Sequence, residues 1–144
     1  MPIRKAAFVC LVAFFVLCPT GCQGGRKPVY PVHGKVTDKD NKPAVGAVVM
    51  FNPVPNDDPQ ANKPNAVVGE DGTFGLQTYE RDDGAPAGEY VLTIEWRTQN
   101  TKSFGPNKLG EDQLKGRYSD PKTSKLKFTV EKKADNEVPE IRLD

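Results

Sequence analysis

From Val32 onward, apolar residues recur at every second position, and turn-forming residues break the alternation at intervals of about ten residues. A period of two places alternate side chains on opposite faces of an extended strand, whereas a helix needs a period of about 3.6. The pattern restricts this part of the chain to short strands folded as a small antiparallel sandwich, with almost no helix.

Val32, Gly34 and Val36 alternate with His33, Lys35 and Thr37, and the stretch from Asp38 to Pro43 then supplies Asp and Asn for a turn. Ala47, Val49 and Phe51 share one face of the next strand. Beyond it, Pro53, Pro55, Pro59 and Pro64 offer no ladder donors, so Asn52 to Asn65 reads as an exposed loop. Glu70-Asp71-Gly72 is a tight-turn signal that closes a hairpin with Phe74 and Leu76 pointing inward. After a second turn from Asp82 to Gly88, Tyr90, Leu92, Ile94 and Trp96 fall on one face, with Val91, Thr93 and Glu95 on the other. The polar stretch from Arg97 to Gly116 predicts a long surface excursion held by Phe104, Leu109 and Leu114, with one helical turn near Asp112 to Lys115. Leu126, Phe128 and Val130, then, after a turn around Asp135-Asn136, Ile141 and Leu143, predict the final pair of strands.

Ahead of this region, Arg4-Lys5 precede thirteen apolar residues from Ala6 to Cys18. That run is well short of the roughly 20 residues that cross a bilayer, so it reads as the core of an export signal, residues 1–21. Pro19-Thr20-Gly21-Cys22 resembles a bacterial lipobox, in which the cysteine receives diacylglycerol before cleavage; Pro19 departs from the aliphatic residue usual at its position. Cys22 is the expected lipidation site. The three cysteines, Cys10, Cys18 and Cys22, all lie in or beside the export segment, leaving the predicted domain without a thiol. Residues 22–29 then read as a short glycine-containing tether and residues 30–144 as one domain. The expected location is a membrane at the cell envelope.

Lys and Arg number 20 against 19 Asp and Glu, and removal of Arg4 and Lys5 with the export signal leaves 18 against 19, a formal net charge of −1. No long run of one sign occurs, which argues against a nucleic-acid partner and against a polybasic membrane patch.

Chemistry-bearing residues are sparse. His33 is the only histidine, too few for the usual peptidase zinc site or nucleophilic triad, and it alternates with Val32 onto the solvent side. Asp38, Asp40 and Asn41, Glu70 with Asp71, and Asp82 with Asp83 cluster in turns, where their side-chain oxygens suit backbone hydrogen bonds better than calcium. No cofactor or metal site is expected. Trp96, Phe104 and Tyr118, with Tyr79, are candidate aromatic contacts for a sugar or peptide, although Trp96 continues the inward face of its strand and is favoured as core.

Four segments carry a family resemblance: Val32-His33-Gly34-Lys35-Val36-Thr37, Gly46-Ala47-Val48-Val49-Met50-Phe51, Glu70-Asp71-Gly72-Thr73-Phe74-Gly75-Leu76 and Gly84-Ala85-Pro86-Ala87-Gly88-Glu89-Tyr90. Together they resemble a carboxypeptidase regulatory-like, transthyretin-related domain; the stretch from Tyr118 to Leu126 is similar to small lipoproteins of planctomycete type. The resemblance implies an all-β, Greek-key sandwich of about seven strands, transthyretin-like or Ig-like, carrying no chemistry of its own. A purine-pathway hydrolase shares that outline, but its several histidines and C-terminal tetrapeptide have no counterpart here, where the chain ends Ile141-Arg142-Leu143-Asp144. The expected function is a non-catalytic, membrane-anchored module whose protein or glycan ligand contacts the loops at Asn52 to Asn65 and Arg97 to Gly116. A carbohydrate-binding surface module and a degenerate transthyretin-type hydrolase are the alternatives.

Overall fold

The computed structural model describes residues 25–56, 62–99 and 109–144. The expected export signal, Cys22 and Phe104 lie outside the described residues. In chain order the strands are β1 (Val29–Tyr30), β2 (Val32–Thr37), β3 (Val48–Val54), β4 (Asn65–Val67), β5 (Thr73–Gly75) and β6 (Ala85–Pro86). They continue with β7 (Gly88–Glu95), β8 (Arg97–Gln99), β9 (Leu109–Asp112), β10 (Lys127–Val130), β11 (Asn136–Glu137) and β12 (Ile141–Arg142). No helix occurs among the described residues, and the fold is an all-β sandwich.

One layer is four-stranded, in the order β10-β7-β3-β4. In the other, β2 is flanked by β5 on one side and by β11 and β12 on the other, the last two pairing with successive halves of β2. Counting β11 and β12 as one interrupted strand gives seven in the two layers, as expected. Two ribbons, β1-β6 and β8-β9, lie outside them.

Period-two alternation explains the layers directly. In β2, Val32, Gly34 and Val36 are buried while His33 and Lys35 are exposed. From the facing layer, Val49, Phe51, Leu92 and Ile94 close the core against Val36, Leu76, Val138 and Leu143. The Phe51 ring lies 5.6 Å from the Tyr90 ring and 6.2 Å from the Phe128 ring, tilted and edge-on, the arrangements aromatic quadrupoles favour. Gly34 is buried beneath Phe74, whose ring atoms stand 2.7 Å from where a Cβ would be, so only glycine lets β5 close over β2.

The structure corrects four expectations. The layers are not wholly antiparallel: β11 and β12 run parallel to β2, because the chain crosses between layers after β10. The expected final strands are not partners, since β10 pairs with β7 in one layer and β12 with β2 in the other. The Glu70-Asp71-Gly72 hairpin is splayed: its arms bond at Gly69–Thr73 and Asn65–Gln77, but between these points β4 joins β3 and β5 joins β2. The expected helical turn near Asp112 to Lys115 is instead the end of β9 and a series of four-residue turns, with Lys115 N–H bonding Asp112 O and Arg117 N–H bonding Leu114 O.

Candidate functional site

The outer face of the four-stranded layer departs from the polar surface expected of a half-buried sheet. Pairing register aligns three rows across it: Val67, Val48 and Glu95; Asn65, Met50 and Thr93; Asn52, Val91 and Lys127. Val48, Met50, Val54 and Val67 are exposed on this face, Val67 by 63%, and exposed Val45 precedes β3. Large apolar side chains exposed among the described residues therefore fall on or beside this one face rather than scattering over the surface.

A groove of about 390 Å³ runs over part of this face. Val48 and Met50 form its apolar floor, with Lys63 at one side, Ser119 and Pro121 at the other, and Glu95 and Arg97 at its end. Asn52 and Thr93 also line it although both are buried, at 8% and 6% exposure. The Asn52 amide donates to Val91 O at 3.1 Å and to Thr93 Oγ1 at 3.2 Å, so this polar floor is held in a fixed orientation.

Each wall has a local cause. Ser119 and Pro121 belong to a segment that runs along the edge of β7 beyond β10: Ile94 N–H bonds Tyr118 O, Leu92 N–H bonds Leu126 O, and Ser124 Oγ donates to Leu92 O at 2.6 Å. At the end wall, Arg97 Nε donates to Glu95 Oε2 at 3.0 Å, with both side chains nearly half exposed. Such a pair contributes at most about 1 kcal/mol, so it can reorganise around a ligand at little cost. Asp112 holds the adjoining β8-β9 ribbon, one oxygen accepting the Trp96 and Leu114 N–H groups and the other the Gly116 N–H. Partial burial raises the Asp112 pKa, but those three backbone donors outweigh it and leave the carboxyl below its ordinary value.

The predicted aromatic contacts do not converge here. Trp96 packs against the core, and its indole N–H donates to Val45 O at 2.9 Å. Tyr118 also packs against the core and donates its hydroxyl to Asp144 Oδ1. Neither ring lines the groove. Tyr79 lies elsewhere, beneath Arg26, whose guanidinium is 5.2 Å from its ring centroid. His33 is exposed, with Nδ1 3.1 Å from Asp135 Oδ1.

The acidic turns use their carboxylates on their own backbone. Asp38 accepts from the Asp40 and Lys42 N–H groups, Asp71 from the Thr73 N–H and hydroxyl, and Asp83 from the N–H groups of Thr78, Tyr79 and Glu80. Among the described residues, no three His, Cys, Asp or Glu side chains gather as a potential metal-binding group.

The two predicted ligand-contact loops are narrower than expected. Asn52 to Val54 extends β3, Asn65 begins β4, Arg97 to Gln99 is β8, and Leu109 to Asp112 is β9. Their roots nevertheless meet at the groove, through Asn52 and Lys63 from the first and Arg97 from the second. The groove floor was missed because outward residues of a strand read as solvent-facing by default. Its signal is the run from Ala47 to Phe51, apolar at every position and so apolar on both faces.

No protein-family profile and no curated protein matches the chain. Among solved structures it is similar to a 9R-lipoxygenase from Cyanothece PCC8801, with a TM-score of 0.42 and 12% identity, over 81% of this chain and 16% of the lipoxygenase.

Proposed function

We propose that the protein is a non-catalytic binding module of carboxypeptidase regulatory-like type, held at the cell envelope by acyl groups on Cys22 and binding an envelope component along the outer face of its four-stranded layer. The observation that carries the binding role is the pair of exposed apolar residues Val48 and Met50, with Val67 beside Val48 on the same face, in a groove with a fixed polar floor. Apolar floor residues supply area, the Asn52–Thr93 pair supplies an oriented polar contact, and Lys63 and Arg97 place cationic groups at the margin. The membrane location is supported by the apolar run before Cys22 and by a predicted domain that contains no other thiol.

Photocrosslinking from the groove tests the binding role, and fractionation tests the anchor. A photoreactive residue replaces Met50 in the full chain in its native membrane, and a second variant carries it at His33 on the opposite layer. A discrete adduct from position 50 that is absent from position 33 is expected. Adding Cys22→Ser should move the protein out of the membrane fraction or leave its export signal uncleaved. Equal labelling from both positions removes the binding role, and unchanged fractionation of the Cys22→Ser variant removes the anchor.

A further inference from the structure

The chain just after the proposed anchor is fastened to the domain. Arg26 lies over the Tyr79 ring and reaches Glu80 at 3.9 Å, while the Lys27 N–H donates to the Tyr79 hydroxyl at 3.1 Å. Val29 and Tyr30 then pair as β1 with Pro86 and Ala85 of β6. Tyr79 is itself fixed, because the Asp83 carboxylate accepts the N–H groups of Thr78, Tyr79 and Glu80 at 2.6 to 3.0 Å. The stretch expected to act as a free tether therefore contributes contacts from Arg26 onward.

This fastening shortens the reach to the membrane. Only three covalent steps separate Cys22 from Gly25, so their Cα atoms lie at most about 11 Å apart at ~3.8 Å per step. Each headgroup layer of a bilayer is itself about 5–8 Å thick. With the acyl chains of Cys22 in the hydrocarbon, Gly25 must lie within or just above the headgroups. Gly25 and Lys27 line a second groove, of about 450 Å³, together with Pro53, Val54, Pro55, Tyr79 and Pro86. Val54 is 47% exposed and Pro55 is exposed. A surface of valine, proline and tyrosine with Arg26 and Lys27 at its margin matches the mixed chemistry of the lipid interface.

We infer that the end of the sandwich carrying Val54, Pro55, Tyr79 and Pro86 lies against the lipid surface, so the domain is held in one orientation rather than swinging on a flexible leash. The inference rests on the acylation of Cys22 proposed above. Its chemical content is a neutral to weakly anionic bilayer interface, recognised by an apolar ridge flanked by Lys27 and by the Arg26–Glu80 pair.

Spin labelling of the full, membrane-extracted chain in vesicles of phosphatidylethanolamine and phosphatidylglycerol tests it. Single cysteines are introduced at Val54 and, as a control, at exposed Glu70 in the turn at the opposite end of the sandwich, and acylation of Cys22 is read by mass spectrometry on the same samples. The label at position 54 should be several-fold more accessible to oxygen, which partitions into lipid, relative to an aqueous nickel reagent, than the label at position 70. An acylated protein whose two labels respond alike overturns the orientation and leaves the anchor standing. A protein without acyl groups on Cys22 overturns both.

Discussion

At the scale of single residues, Asn136 shows how one buried polar side chain fixes a corner of the sandwich. It is 1% exposed, its Oδ1 accepts the Glu131 N–H at 2.9 Å, and its amide donates to Pro31 O at 3.2 Å and Glu131 O at 3.1 Å. These bonds close the turn between β10 and β11 and tie it to the chain entering β2. Asn136→Ala would remove these side-chain bonds and leave the Glu131 N–H without its acceptor, while Pro31 O and Glu131 O each keep a backbone donor, so we expect a loss of about 1–2 kcal/mol in the urea unfolding midpoint analysis, with the slope unchanged. A loss below about 0.5 kcal/mol would show that water replaces the amide without penalty. The sequence marks Asp135-Asn136 as a turn but does not distinguish the structural residue from its exposed neighbour. That difference depends on Pro31, which is 105 positions away. Asn52 is similar: it reads as the first residue of a proline loop, and only pairing with β7 shows it as a strand residue bonded to Thr93.

At the scale of elements, legibility depends on the distance over which a strand is specified. β2, β3, β5, β7 and β10 bury one face against a common core, so local alternation reveals them. The β1-β6 and β8-β9 ribbons are held mainly by backbone pairing and by single contacts, which leave no periodic trace. Gly84 is such a contact for β1. It has φ +92°, and a Cβ there would stand 1.8 Å from Tyr30 O, inside any permissible separation from the backbone. Gly84→Ala therefore has to push β1 away from β6 as well as adopt an unfavourable backbone conformation. We expect about 1–3 kcal/mol of destabilisation and faster amide exchange at Tyr30, with exchange in β3 and β7 little changed. Uniform acceleration across the domain would mean that β1 belongs to the global folding unit rather than forming a separable flap.

At the scale of the whole molecule, near-neutral net charge leaves particular pairs, rather than overall repulsion, to set the response to pH. Asp71 is held below the ordinary carboxyl value by the Thr73 hydroxyl and N–H, and Asp144 by the Tyr118 hydroxyl. In Asp112 burial acts in the opposite direction, and the Trp96, Gly116 and Leu114 N–H groups prevail. The unfolded chain thus binds more protons than the folded one around and below pH 3.8, so these contributions are complete above that value and vanish as pH falls through the folded pKa values. The alkaline side has the opposite sign. Burial, aided by nearby Tyr79, pushes the Tyr90 phenol up to about 12 from 10, and its hydrogen bond to Asp144 raises Tyr118. Protonated Tyr90 stabilises the fold fully below pH 10, and that stabilisation fades as pH rises from 10 towards about 12. Urea midpoints should therefore form a plateau from about pH 5 to about pH 9 and fall on both sides. Tyr90→Phe, which removes the titrating hydroxyl and its 2.8 Å bond to Pro86 O, should lower the plateau and flatten its alkaline edge. An alkaline edge equally steep in that variant would leave Tyr90 out of the loss and assign it to Tyr118.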